Sequence, residues 1–141
     1  MFLQTAMDNY DVVYVRGTCV GNWIVNHDVT LIGTGPAPTL DGNAADTVLV
    51  VVAYTLTVRN LTIRNGAGDA GGGIFVEAGT LNLVSSKVTG NNGYYGGGIF
   101  AFIYSDLNVT NSTVSGNNGY YAGGGIYADY FVFLNRPERP S

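Results

Sequence analysis

Gly71 to Tyr95 reads GGGIFVEAGTLNLVSSKVTGNNGYY, and Gly96 to Tyr121 reads GGGIFAFIYSDLNVTNSTVSGNNGYY. A third copy opens as GGGIYADY at Gly123, so successive copies start 25 and then 27 residues apart. Self-similarity at such a period marks a stacked repeat architecture. Working outward, the alignment yields apolar columns. One holds Ile24, Leu49, Ile74, Ile99 and Ile126; a second holds Leu31, Leu56, Leu81 and Leu107. A third holds Val58, Leu83 and Val109, and a fourth Ile63, Val88 and Val114. Around them apolar and polar residues alternate with period 2, as in TLNL and DLNV, which is the signature of strands with one buried face.

Each repeat is therefore expected to hold three short strands and three turns, with glycine and asparagine at corners that often need positive φ. One such coil cannot bury its own apolar face. Stacked coils can, because each strand pairs with its equivalents about 4.8 Å above and below. The pattern predicts an all-β chain: a right-handed single-stranded parallel β-helix of about six coils. The domain spans 1–134, with coils over 11–134, and a non-repeat tail covers 135–141. A left-handed helix would show a hexapeptide period, and a calcium-binding roll would show recurring nonapeptides. Neither is present; GAGDAGGGI at Gly66 to Ile74 matches the roll only loosely.

Two stretches resemble known groups. VTLIGTGPAPTLDGN, Val29 to Asn43, resembles an early coil of pectate-lyase-like right-handed β-helix proteins. The GGGI and TVSGNN elements resemble the repeats of large bacterial surface and secreted β-helix proteins, and are similar to the GG[AG]I repeats of chlamydial polymorphic outer-membrane proteins. The resemblance implies fold far more than activity, since glycine turns and stacked aliphatics carry it. It also implies a capped start. Phe2, Leu3, Ala6, Met7 and Tyr10 fall on one face at helical spacing, so a cap helix is expected within 1–10. VVYV (Val12 to Val15) then reads as the first strand and NWIV (Asn22 to Val25) as the second. At the other end FVFL offers one more strand, with Phe133 placed opposite Leu107. NRPERPS follows in place of a turn and third strand, so the last coil is expected to be incomplete.

Composition narrows the function classes. The chain has 46% hydrophobic residues and 11% charged residues among its 141, against about 25% charged in an average protein. Its net charge is −4, which disfavours a nucleic-acid partner, because phosphate binding needs clustered Lys and Arg. No stretch is long and apolar enough for a helical membrane span, and Met1 to Tyr10 lacks the layout of a signal peptide. Cys19 is the one cysteine, so no internal disulfide forms.

Catalysis on polysaccharides in this kind of fold uses clustered Asp residues, an acid and base pair, or an Arg or Lys base. The columns bring no three of Asp41, Asp46, Asp69, Glu77, Asp106 and Asp129 together. Asp41 and Asp69 read as turn residues. Arg59 continues as Val84 and Thr110, Arg64 as Thr89 and Ser115, and Lys87 aligns with Thr62, so these are solvated strand faces. Short, regular turns leave no groove. His27, Asp28 and Cys19 match no zinc spacing. Asn60, Asn108 and Asn111 open N-x-[ST] sequons but fit structural ladders better. A Thr array for ice is interrupted at Lys87. No catalytic residue, metal site or cofactor is expected.

The repeated GNNGYY places Tyr94 over Tyr120 and Tyr95 over Tyr121. Phe75, Phe100 and Tyr127 form a further column pointing away from the core. Together these seven form the candidate contact surface for another chain or for sugar rings, beside a purely stabilising ladder role. The expected function is a non-enzymatic structural or adhesive β-helix of the cell surface or extracellular space, self-assembling end to end or laterally into a homo-oligomer or filament. The alternative is a carbohydrate-active lyase or hydrolase, or a fragment of one, with Arg59 and Arg64 as its candidate bases.

Overall fold

The structure, a computed structural model, describes residues 2–135. Each short strand has one apolar face, and that face stays dry only if like strands lie above and below it. The chain arranges this by winding. It forms a parallel β-solenoid of about five turns, mostly strand and turn with one short helix among the described residues. The repeats suggested about six turns; among the described residues the sixth is only the strand Phe133–Leu134. The tail expected at 135–141 lies outside the described residues except for Asn135.

Among the described residues three parallel sheets result. The five-stranded sheet stacks Trp23–Val25, Leu49–Val52, Ile74–Glu77, Ile99–Phe102 and Ile126–Asp129. A nine-stranded sheet carries both the second and the third strand of each turn. They are separate in the later turns, as in Thr80–Val84 and Lys87–Thr89, and merged in the two long early strands Val12–Val20 and Val29–Asp41. The merged strands bulge at the expected corner: Arg16 faces Thr34 but Thr18 faces Thr39, so Gly35 to Pro38 swing out opposite Gly17. A three-stranded ribbon of Ala67–Gly68, Asn92–Gly93 and Asn118–Gly119 closes the turn.

Inside, like stacks on like. Leu49, Ile74 and Ile99 are paired in register and fully buried, as are Leu56, Leu81 and Leu107. Ile63 and Val88 do the same beneath Leu40.

The early and late columns differ from the expected alignment. Trp23, not Ile24, stacks on Leu49, and Ile24 is 57% exposed. The first turn is 26 residues here, and a slip of one residue turns a side chain to the opposite face. Leu31 pairs with Val58, and Val29 takes the place above Leu56. That slip is of two residues, so Leu31 stays buried but moves one column along. Leu134, not Phe133, faces Leu107, because the extra Ala122 lengthens the last turn to 27 residues.

The glycines also divide differently from expectation. Gly90 and Gly116 have φ of 68° and 65°, and Asn65 holds the same corner one turn earlier at 57°. The GGG runs have another cause. A methyl on Gly72 would overlap the carbonyls of Asn92 and Gly97, and one on Gly97 those of Asn118 and Gly124. Adjacent turns touch backbone to backbone there.

The helix α1 (Leu3–Asn9) covers the first turn. Met7 is buried, and Leu3 and Ala6 pack against the core. Phe2 and Tyr10, expected on the same face, are exposed at 86% and 56%. Both fall outside the helix as its flanking extended residues, so helical spacing does not apply to them.

Candidate functional site

The outward side of the five-stranded sheet carries the aromatic residues. Period 2 turns Ile74 and Ile99 inward and Phe75 and Phe100 outward, and register stacks Phe75, Phe100 and Tyr127 in one ladder. Ring centroids lie 5.4 Å apart for Phe75–Phe100 and 5.2 Å for Phe100–Tyr127. Two residues on, a second outward column reads Glu77, Phe102, Asp129.

The corner tyrosines lean over these ladders. Tyr95 sits 5.5 Å from Phe100 and stacks on Tyr127 at 6.0 Å. Tyr94 stacks on Tyr120 and Tyr121 at 5.5 and 5.7 Å, and Tyr95 meets Tyr121 edge-on at 5.4 Å. On the other flank Phe102 meets Tyr130 edge-on at 5.8 Å. All seven expected contact residues thus belong to one cluster.

Its shape differs from the expected exposed stripe. Phe100 is only 7% exposed, because Tyr95, Phe102 and its ladder neighbours surround it. The result is an open concavity of ≈ 450 Å³ lined by Asp69, Ala70, Phe75, Glu77, Tyr95, Phe100, Phe102, Tyr127, Asp129 and Tyr130. This corrects one expectation. A groove exists although the turns are short, since tall aromatic side chains, not long loops, form its walls. Asp69 reaches its lining from a corner, and Glu77 and Asp129 from one outward column. Desolvation, with the Asp129 carboxylate next in effect, raises the Tyr127 hydroxyl above its ordinary value.

Phe102 and Tyr130 went unnoticed in the sequence. The signal for Phe102 was present: it lies three residues after Ile99, as Glu77 follows Ile74. Tyr130 had none, since it sits in a corner where φ is 61°.

The other candidates act within the scaffold. Asp41 accepts from the Asn43 amide at 2.9 Å, from Asn65 at 2.9 Å and from Arg64 at 3.1 Å. The Asn43 amide first, then Asn65, then Arg64, hold its carboxyl below the ordinary aspartate value. Arg64 is therefore engaged away from the groove, and Arg59 is exposed on the nine-stranded sheet. His27 Nε2 lies 2.6 Å from the Met7 carbonyl and Nδ1 lies 3.5 Å from Asp11, so it ties the helix to the coil. Asp28 accepts from the Thr55 amide at 2.8 Å. Asn108 donates to Asn82 at 2.9 Å and Asn82 to Thr57 at 3.3 Å, an outward ladder of the kind expected. Asn60 donates to the Gly33 carbonyl at 3.0 Å. Among the described residues no three His, Cys, Asp or Glu side chains group closely enough to hold a metal ion.

Compared with protein-family models, curated proteins and solved structures, the chain matches none. The functional reading therefore rests on the groove.

Proposed function

We propose that this chain is a non-enzymatic adhesive β-solenoid, secreted or displayed at a cell surface, and that the aromatic groove is its contact face. One observation carries the reading. Six aromatic side chains converge on one outward concavity, a placement that core packing does not require and that costs exposed apolar surface. Aromatic walls of this kind hold flat apolar faces, and sugar rings present such faces. The kinship we infer is with pectate-lyase-like solenoids, from the GTGPAP corner and the GGGI repeats; parallel crossovers take the right-handed course in about 98% of cases.

A carbohydrate-active role is the second reading. It is favoured by Glu77 and Asp129, which share one outward column two strands apart, about 10 Å at the backbone, near the wider separations of paired catalytic carboxylates. Arg59 and Arg64, its candidate bases, lie outside the groove.

Retention of the full chain on a panel of insoluble polysaccharides separates the two. The adhesive reading expects retention that Phe102→Ala abolishes, with no cleavage of any polymer. Release of unsaturated or reducing ends from a uronate polymer would establish the enzymatic reading instead. No retention on any polymer would remove the adhesive role of the groove.

A further inference from the structure

The groove is one-sided in charge. Asp69, Glu77 and Asp129 line it, and no described lining residue is Lys, Arg or His. Among the described residues the ion pairs are His27–Asp11 and Arg64–Asp41, both elsewhere, so none of the three groove carboxylates is neutralised by a cation. Arg16, Arg59, Arg64 and Lys87 all lie on the nine-stranded sheet.

We infer that the groove binds a cationic amino-sugar chain, β-linked hexosamine units with free amines, whose ring faces lie on Phe102 and Tyr127 and whose ammonium groups meet Glu77 and Asp129. The inference rests on the adhesive reading and specifies its ligand.

Three features favour this chemistry. First, the combination of π faces and carboxylates attracts ammonium groups twice over, through the ring quadrupole and through charge. The same carboxylates repel a uronate, the anionic alternative. Second, the charges are spread out. Glu77 and Asp129 flank Phe102 in one column, separated by two strand spacings, about 10 Å. A single quaternary ammonium would use one end of this arrangement. A chain bearing an amine on every ring, with a ring between two amines to cover the phenyl face, uses all of it. Third, two of the three strands beneath the groove, Ile74–Glu77 and Ile99–Phe102, are paired on both sides, so their backbone groups are satisfied. Laid across Ile74–Glu77 and Ile99–Phe102 a basic peptide would find no strand edge and would leave its own amides to water; among the described strands at the groove the one edge is Ile126–Asp129, at the end of the sheet. Sugar hydroxyls at the rim can stay hydrated.

Isothermal titration of the full chain tests this. The probes are a glucosamine tetrasaccharide, its fully N-acetylated counterpart, a galacturonic acid tetrasaccharide and a lysine-rich peptide of matched charge. The glucosamine probe should bind, more weakly as salt rises. The isosteric double variant Glu77→Gln/Asp129→Asn should weaken it roughly tenfold, the size expected from losing two partly exposed charge pairs, with an unchanged circular dichroism spectrum and melting temperature. Equal binding of the acetylated and free-amine sugars, indifferent to the double variant, would overturn the inference and leave the adhesive reading standing. Binding by the peptide alone would overturn it in favour of a protein partner. Failure of every sugar, together with no retention on the polymer panel, would overturn both.

Discussion

Asn91 shows how a single polar side chain holds two turns together. It is fully buried within GNNG, a stretch that reads as an ordinary turn. Its Oδ1 accepts from the Gly66 amide at 2.8 Å, and its Nδ2 donates to the Ile63 carbonyl at 3.1 Å, both on the preceding turn. On the following turn Asn117 accepts from the Asn91 amide at 3.0 Å and donates to the Val88 carbonyl at 2.9 Å. These asparagines satisfy backbone groups at a corner where the ladder itself cannot. Asn91→Leu keeps the branched shape, with a bulkier side chain, but strands the Gly66 amide away from water. We expect a loss of about 1–3 kcal/mol, read from urea unfolding. Asn92→Leu, at the exposed neighbour, should cost far less; equal effects would show that the burial of Asn91 is not what matters.

At the scale of elements, α1 protects a strand edge. Trp23–Val25 ends the five-stranded sheet and would otherwise present unpaired backbone groups, a template for further strands. Gln4 covers it by imitating a neighbouring strand: its Nε2 donates to the Ile24 carbonyl at 2.7 Å and its Oε1 accepts from the Ile24 amide at 2.9 Å. Asp8 receives hydrogen bonds from Asn26 and Gln4, each at 2.8 Å, and the Asn26 bond, then the Gln4 bond, lowers its carboxyl below the ordinary value. Removing the Gln4 amide should open this edge without unfolding the turns behind it. We expect Gln4→Ala to speed amide exchange at Ile24 roughly fivefold, the equivalent of about 1 kcal/mol for lost hydrogen bonding, with Leu81 unaffected. Unchanged exchange at Ile24 would mean that packing of Met7 alone caps the strand.

For the whole molecule, aromatic surface extends past the groove. Tyr120 is 86% exposed, and Tyr104, Tyr121, Tyr130 and Phe131 are all exposed as well. Tyr104 and Phe131 stack at 5.4 Å with planes 4° apart, which continues the row along the last turns. A contiguous apolar row on a chain of net charge −4 is a surface that side-by-side contact would cover. Sedimentation should show an average mass that rises with protein concentration, and Tyr120→Ser/Tyr121→Ser should suppress the rise. A clean monomer at high concentration would reject lateral self-association.

The sequence by itself determined the period, the parallel stacking and most of the inner columns, because a repeated apolar residue at a fixed spacing must meet its own copy when coils stack. Ile74 over Leu49 and Val88 over Ile63 were legible for that reason, and so were Tyr94 over Tyr120 and Tyr95 over Tyr121. Where the repeat motif is missing, counting alone could not set the register, and Ile24, Leu31 and Phe133 each slipped by a residue or two. The groove was decided by tertiary structure. Its floor comes from one strand ladder, its walls from the corners that hold Tyr95 and Tyr130, and its carboxylates from three different turns. Each of these looks unremarkable along the chain. They line one groove only because lateral neighbours on the outer face of a solenoid are set by side-chain height and corner direction, which the apolar period does not encode.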